Sequence, residues 1–149
     1  MQKILQNGEP VVILLVEDEE AHAEIVRRNL ASFPVEHRVM HVQDGQLALD
    51  YLFRRNSFAE AELSPTPQLV LLDLHLPKVD GLEVLRQIKQ DEELKKIPTI
   101  VLTTSSADSD IAAVRALGGD SYQLKPLLFE GFTDMFNDGR TSGPLFPHW

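Results

Sequence analysis

Asp73 is set into an otherwise apolar stretch, Leu69-Val70-Leu71-Leu72-Asp73-Leu74-His75-Leu76-Pro77. A carboxylate at the end of a strand buried on both faces is either a paired core acid or a chemical group. Three other candidate strands end in groups that could work with it. Residues 11–16 lead into Glu17, Asp18, Glu19 and Glu20, residues 97–102 into Thr103 and Thr104, and residues 121–124 into Lys125. If these run ends share one edge, crowded carboxylates repel, and one must hold its proton unless a cation intervenes. The ligand set is all oxygen, with no cysteine and no histidine pair at ligand spacing, which suits a hard divalent ion, Mg2+. Cation, ammonium and hydroxyl together would receive a phosphoryl group on or near Asp73. Its transfer would depend on positioning and charge neutralisation. A carboxylate can itself be the nucleophile, forming an acyl-phosphate.

The chain offers elements to hold these groups. Apolar runs at 11–16, 69–74 and 97–103, a short segment at 121–124 and a weaker one at 35–42 with Val35, Val39 and Val42 among polar residues read as strands. Between them lie helical patterns: Ala21, Ile25, Val26 and Leu30; Leu47, Ala48, Tyr51 and Leu52; Leu82, Val84, Leu85 and Ile88; Ile111, Val114 and Leu117. Asp44 is placed to cap the second helix, Asp80-Gly81 opens the third, Asp108 or Ser109 would cap the fourth, and Gly118-Gly119 ends it. Phe129, Phe132, Met135 and Phe136 make one stripe of a fifth helix. Residues 54–67 read as a surface connection with a partial helical turn at 58–63. Five strand–helix alternations predict an α/β fold with a parallel sheet covered on both faces. The ligand site of such folds lies beyond the carboxyl ends of the strands, where strand order reverses.

The chain has 149 residues, enough for one domain with a proper core, and 43% of them are hydrophobic. Its net charge of −9 and the absence of a basic run argue against nucleic-acid binding. No apolar run approaches the roughly 18 residues of a membrane span, and residues 1–10 lack a signal-peptide core, so the expected location is cytoplasmic. The predicted organisation is an N-terminal extension at 1–10, one domain at 11–137, and an irregular tail at 138–149.

The motifs Leu15-Val16-Glu17-Asp18-Glu19, Leu71 to Gly81, Leu102-Thr103-Thr104, Gly118-Gly119 and Tyr122-Gln123-Leu124-Lys125-Pro126 resemble, in order and spacing, the receiver domain of two-component response regulators, the CheY-like superfamily. The resemblance implies a flavodoxin-like, doubly wound sheet of order 2-1-3-4-5. It implies Asp73 as phosphoacceptor. Glu17, Asp18 and Asp73, with the backbone carbonyl of His75, would be the Mg2+ site. It implies Lys125 as the phosphoryl-contacting lysine, Thr103 with Thr104 beside it as the switch position, and Tyr122 as the responding aromatic. Pro126 would follow a cis peptide bond. A stand-alone response regulator is expected, phosphorylated by a histidine kinase and not otherwise an enzyme. It would signal to a downstream protein or a second copy through the fourth helix, fifth strand and fifth helix. Residues 73–78, residues 97–105 and the 54–67 connection further resemble single-domain regulators associated with phytochromes, which implies a phytochrome-type kinase. Two features depart from that group: His75 stands where Asn is common, and Gly131 weakens the last helix by about 1 kcal/mol relative to Ala.

Blander readings stand beside these. The acidic run alone is a solvated helix start, Asp73 alone a paired core acid, and Lys125 a solvated lysine before proline. Tyr122 alone is plain core, and Thr104, Ser105 and Ser106 are turn and capping residues. His22, His37, His41 and His148 read as surface or locally hydrogen-bonded. Two rival functions use the same fold or chemistry. One is an interaction module that signals without phosphate. The other is a haloacid-dehalogenase-type phosphatase, whose second acid would fall where His75 stands.

Overall fold

The strands with unbroken apolar sequence take the centre of the sheet. In the computed structural model, which describes residues 10–31, 36–60, 63–104 and 107–125, β1 (Val11–Val16), β3 (Leu69–Asp73) and β4 (Thr99–Thr103) are buried at every position. β2 (His37–Val42), in which only Val42 is buried, and β5 (Ser121–Leu124) form the edges. All pairs are parallel, in the order β2-β1-β3-β4-β5. Chain order reverses beside β1, so β1 and β3 are neighbours although a whole strand and two helices separate them in sequence. Register brings the carboxyl ends level: Val16 faces Leu72, Asp73 faces Leu102, and Thr103 faces Leu124.

Side chains alternate across a strand. Leu14, Val16, Val70, Leu72 and Val101 enter one cluster with Leu49, Val84, Leu85, Ile88 and Val114. These helical residues come from α2 (Gly45–Leu52), α3 (Gly81–Gln90) and α4 (Asp108–Ala116). The opposite parity, Ile13, Leu15, Leu71, Ile100 and Leu102, is equally buried. α1 (Glu20–Ala31) buries Ala23, Val26 and Leu30, which lie outside that cluster, and covers this second face. Each fully buried side chain of this kind contributes about 1.5–3 kcal/mol.

Local chemistry sets the helix ends. The Asp44 carboxylate accepts from the Leu47 N–H at 2.8 Å, and Asp80 accepts from the Leu82 N–H at 3.3 Å; each cap contributes about 1 kcal/mol. α4 begins differently from expectation. Its N-cap is Ala107, without a side-chain cap hydrogen bond, and Asp108 and Asp110 lie in its first turn, where they favour the helix dipole. α4 ends as predicted, with Gly118 at φ +94°. The buried stripe of α1 also differs. Ala23 replaces Ala21, and Ile25 stays 39% exposed, because it lies about 100° around the helix from Val26. After α2 a short helical turn lies at Asn56–Phe58, and within the expected 58–63 stretch the Leu63 and Ser64 N–H groups both donate to the Glu60 carbonyl, at 3.2 and 3.0 Å. The predicted fifth helix and Pro126 lie outside the described residues. Among the described residues no helix is long and apolar enough to cross a membrane.

Gly81 joins this scaffold to the site. A Cβ there would stand 2.3 Å from the Leu74 carbonyl oxygen and 2.4 Å from that of Asp73. The absence of a side chain lets α3 start directly against the end of β3. Gly81→Ala should therefore destabilise the protein by about 1–3 kcal/mol through backbone overpacking, read from urea unfolding. Unchanged stability would show that the β3–α3 approach is not close.

Candidate functional site

The carboxyl edge of the sheet collects charge. Glu17 follows β1 and is 1% exposed, Asp73 ends β3 at 7% exposed, and Asp18 is open to solvent. One carboxylate oxygen from each of the three lies within 4.8 Å of the others. Lys125 follows β5 and sends its ammonium into this group, with Nζ 2.6 Å from Glu17 Oε1 and 3.5 Å from Asp73 Oδ2. The Lys125 N–H donates to the Thr103 carbonyl at 2.9 Å. That bond continues the β4–β5 ladder by one step and delivers the lysine to the edge. Thr103 is fully buried, and Thr104 is exposed. Tyr122, opposite Val101, is half-buried and packs on the core cluster three residues before Lys125.

The acidic loop is held from several sides. The Glu17 N–H donates to the Val42 carbonyl at 3.1 Å, and the Glu19 N–H donates to Glu17 Oε2 at 3.2 Å. His41 Nε2 lies 2.9 Å from the Glu17 carbonyl oxygen, and Arg27 Nη1 lies 3.3 Å from His41 Nδ1. A guanidinium only donates, so Nδ1 accepts and Nε2–H donates to Glu17. Sequence reasoning left His22 and His41 among the unassigned histidines. The structure places both against Glu17, His22 Nδ1 being 3.7 Å from Glu17 Oε2. For His22 the signal was only its place, in the first turn of α1 directly after the acidic run. For His41 there was none, because strand register alone brings β2 beside the acids. On the far side of the site, Lys78 in the β3–α3 loop has φ +69°, a rare backbone state for a residue with a side chain.

Burial pushes the Asp73 carboxyl from its usual 3.8 up to about 6, and Glu17 and Asp18 add to the rise. Lys125 and the His75 backbone N–H, which donates to Asp73, oppose it. Among the described residues three carboxylates face one ammonium, which leaves the edge short of positive charge. A hard, oxygen-seeking divalent cation fits this donor set, and its charge would answer the repulsion that raises Asp73. Glu17, Asp18 and Asp73 are the side chains placed to hold it.

An acid whose folded pKa is raised holds its proton more tightly when folded, so it favours folding in the protonated form. That contribution is complete below the ordinary value of 3.8 and is lost as pH rises through about 6. In EDTA, Asp73→Asn should melt a few degrees above wild type near about pH 7, and the gain should vanish near about pH 4. Equal melting curves at both pH values would refute the burial penalty.

The response regulator receiver domain family matches residues 13–137. The chain is 45% identical over 127 residues to a "probable methanogenesis regulatory protein FilR2" of Methanothrix harundinacea, covering 85% of this chain and 79% of that protein. It is 42% identical over 120 residues to the response regulator Rcp1 of Synechocystis sp., covering 80% of each. The crystal structure of the Mn2+-bound form of Rcp1 superposes with a TM-score of 0.77 at 39% identity, over 86% of this chain and 93% of that one. The phosphorylated cyanobacterial phytochrome response regulator RcpA gives a TM-score of 0.80 at 37% identity, over 90% and 98%. Shared strand order and the acid-rich sheet edge agree with these likenesses, and the chain belongs to the response regulator receiver domain family.

Proposed function

We propose that this protein is a phosphoacceptor response regulator, that Asp73 takes the phosphoryl group from a histidine kinase, and that Mg2+ is the working cation. The observation that carries the reading is the ammonium of Lys125 between Glu17 and Asp73 at the edge where three carboxylates meet. Glu17, Asp18 and Asp73, with the His75 backbone carbonyl, are the proposed ligands. When bound, Mg2+ supplies positive charge for the phosphoryl oxygens and lowers the repulsion among the acids.

The chain's own residues do the rest. Asp73 ends a strand buried on both faces and has little freedom, so its carboxylate is held in one place. A carboxylate oxygen attacks phosphorus as the phosphorus–nitrogen bond of the kinase phosphohistidine breaks. The imidazole nitrogen keeps the electron pair, and an acyl-phosphate forms on Asp73. Lys125 neutralises charge on the incoming group. Beyond this transfer and the later hydrolysis of the acyl-phosphate, which returns the Asp73 carboxylate and releases orthophosphate, no enzymatic reaction is proposed.

Thr103, at the buried end of β4, and Tyr122, half-buried in the adjacent edge strand, are the proposed read-out, with Thr104 next to Thr103 at the loop. A shift at Thr103 would change the packing of Tyr122 and so the face formed by α4 and β5. That face is the proposed contact with a downstream protein or a second copy. Likeness to RcpA supports a phytochrome-type kinase as partner, and a cytoplasmic setting and stand-alone action complete the proposal.

Incubation with a small phosphodonor and Mg2+ should place one phosphoryl group on the wild type, seen as a mass increase and an acid-stable, base-labile modification. Asp73→Asn should take none. Asp18→Ala should react at least about tenfold more slowly while melting in EDTA at or above the wild-type temperature, because a crowded carboxylate is removed. Incorporation that persists in Asp73→Asn would overturn the assignment.

A further inference from the structure

His22 lies in the first turn of α1, 34% exposed, and reaches the site from the side opposite the β3–α3 loop. Its Nδ1 is 3.0 Å from Lys125 Nζ, and its Nε2 is 3.5 Å from Glu19 Oε1. An ammonium has three donors and no lone pair, so Lys125 donates and Nδ1 accepts. The ring proton then sits on Nε2, the nitrogen that faces the Glu19 carboxylate. Among the described residues Lys125 therefore has three neighbouring acceptors: Glu17 Oε1, His22 Nδ1 and Asp73 Oδ2. Two are anionic and belong to the proposed metal site. His22 offers the neutral one.

We propose that His22 is a positioning residue for Lys125, holding its ammonium beside Asp73. This inference rests on the reading of Lys125 as the phosphoryl contact. A divalent cation and Lys125 compete for the charge of Glu17 and Asp73, so the ammonium loses attraction to both when the cation binds. A lysine is a point charge on a flexible stem and needs a remaining partner to stay in place. A third carboxylate in that role would deepen the repulsion already present; a neutral imidazole nitrogen does not. The cavity beside the pair, of about 260 Å³, is lined by His22, Lys125, Thr104 and the apolar Ile25 and Val26. Ile25 and Val26 have no side-chain acceptor to replace Nδ1. Glu19 orients the ring, which gives the third acid of the run a use that the metal site does not.

The test has two arms. In metal-free protein at neutral pH, the 15N signal of the Lys125 ammonium, assigned by its loss in Lys125→Met, should be resolved and slow to exchange. It should broaden or shift in His22→Ala and return in His22→Asn, whose side-chain amide oxygen can accept in place of Nδ1. With saturating Mg2+ and a small phosphodonor, His22→Ala should be phosphorylated about tenfold more slowly, as for the loss of a hydrogen bond to a charged group. His22→Asn should recover most of the rate. Melting temperature should not fall in His22→Ala, because Ala is the better helix former. A wild-type rate in His22→Ala, an unaltered Lys125 signal, or His22→Asn no better than His22→Ala overturns the role. If the wild type itself takes no phosphoryl group, the phosphoacceptor reading fails, while the ammonium signal still decides whether His22 holds Lys125.

Discussion

The contact between the Lys125 ammonium and the Glu17 and Asp73 carboxylates organises this protein. It joins the ends of β1, β3 and β5, which are remote in sequence, through one nearly buried cation. The charges do not balance. Asp18 adds a third acid, and Asp73 is pushed up to about 6 chiefly because burial disfavours its charged form. A site left short of positive charge is a poor source of stability and a good receptor for a cation. The fold tolerates this edge because the helices and both sheet faces behind it bury apolar side chains.

The scaffold meets the site at a few close backbone approaches. Gly81 lets α3 start against the Asp73 and Leu74 carbonyls, and Gly45 does the same for α2 against Val79, where a Cβ would stand 1.8 Å from the carbonyl oxygen. Both glycines follow an aspartate that caps the helix, so one dipeptide type, Asp-Gly, sets both helix start and loop approach. The acidic loop is fixed from the other side by His41 and Arg27. Its backbone is therefore positioned by β2 and α1, while its side chains remain directed at Asp73 and Lys125.

Much of the fold was legible because its signals are local. Unbroken apolar runs marked β1, β3 and β4, and their alternation with helical spacing indicated a parallel sheet. Asp44 and Asp80 cap as their positions suggested. The misreadings were also local, but of a kind that packing decides. Ala21 and Ile25 fit a helical period as well as Ala23 does, and only the direction of the sheet selects Ala23. Ala107 rather than Asp108 caps α4, because the chain turns into the helix one residue earlier than side-chain preference indicates.

For the site, the sequence alone determined the chemical inventory: the acids, the hydroxyls and the lysine, each at the end of a candidate strand. Its motifs carried the family resemblance and, through it, the strand order. Only the tertiary structure decided the distances, because parallel register is a property of paired strands and not of any one of them. It brought three carboxylates within 4.8 Å and set Lys125 between two of them. It also added His22 and His41, histidines with no motif of their own. The first turn of α1 sets His22 beside Lys125 and Glu17, and pairing with β1 puts His41 at the Glu17 carbonyl. Those contacts follow from helix rotation and strand register, which a linear pattern of residue types does not specify.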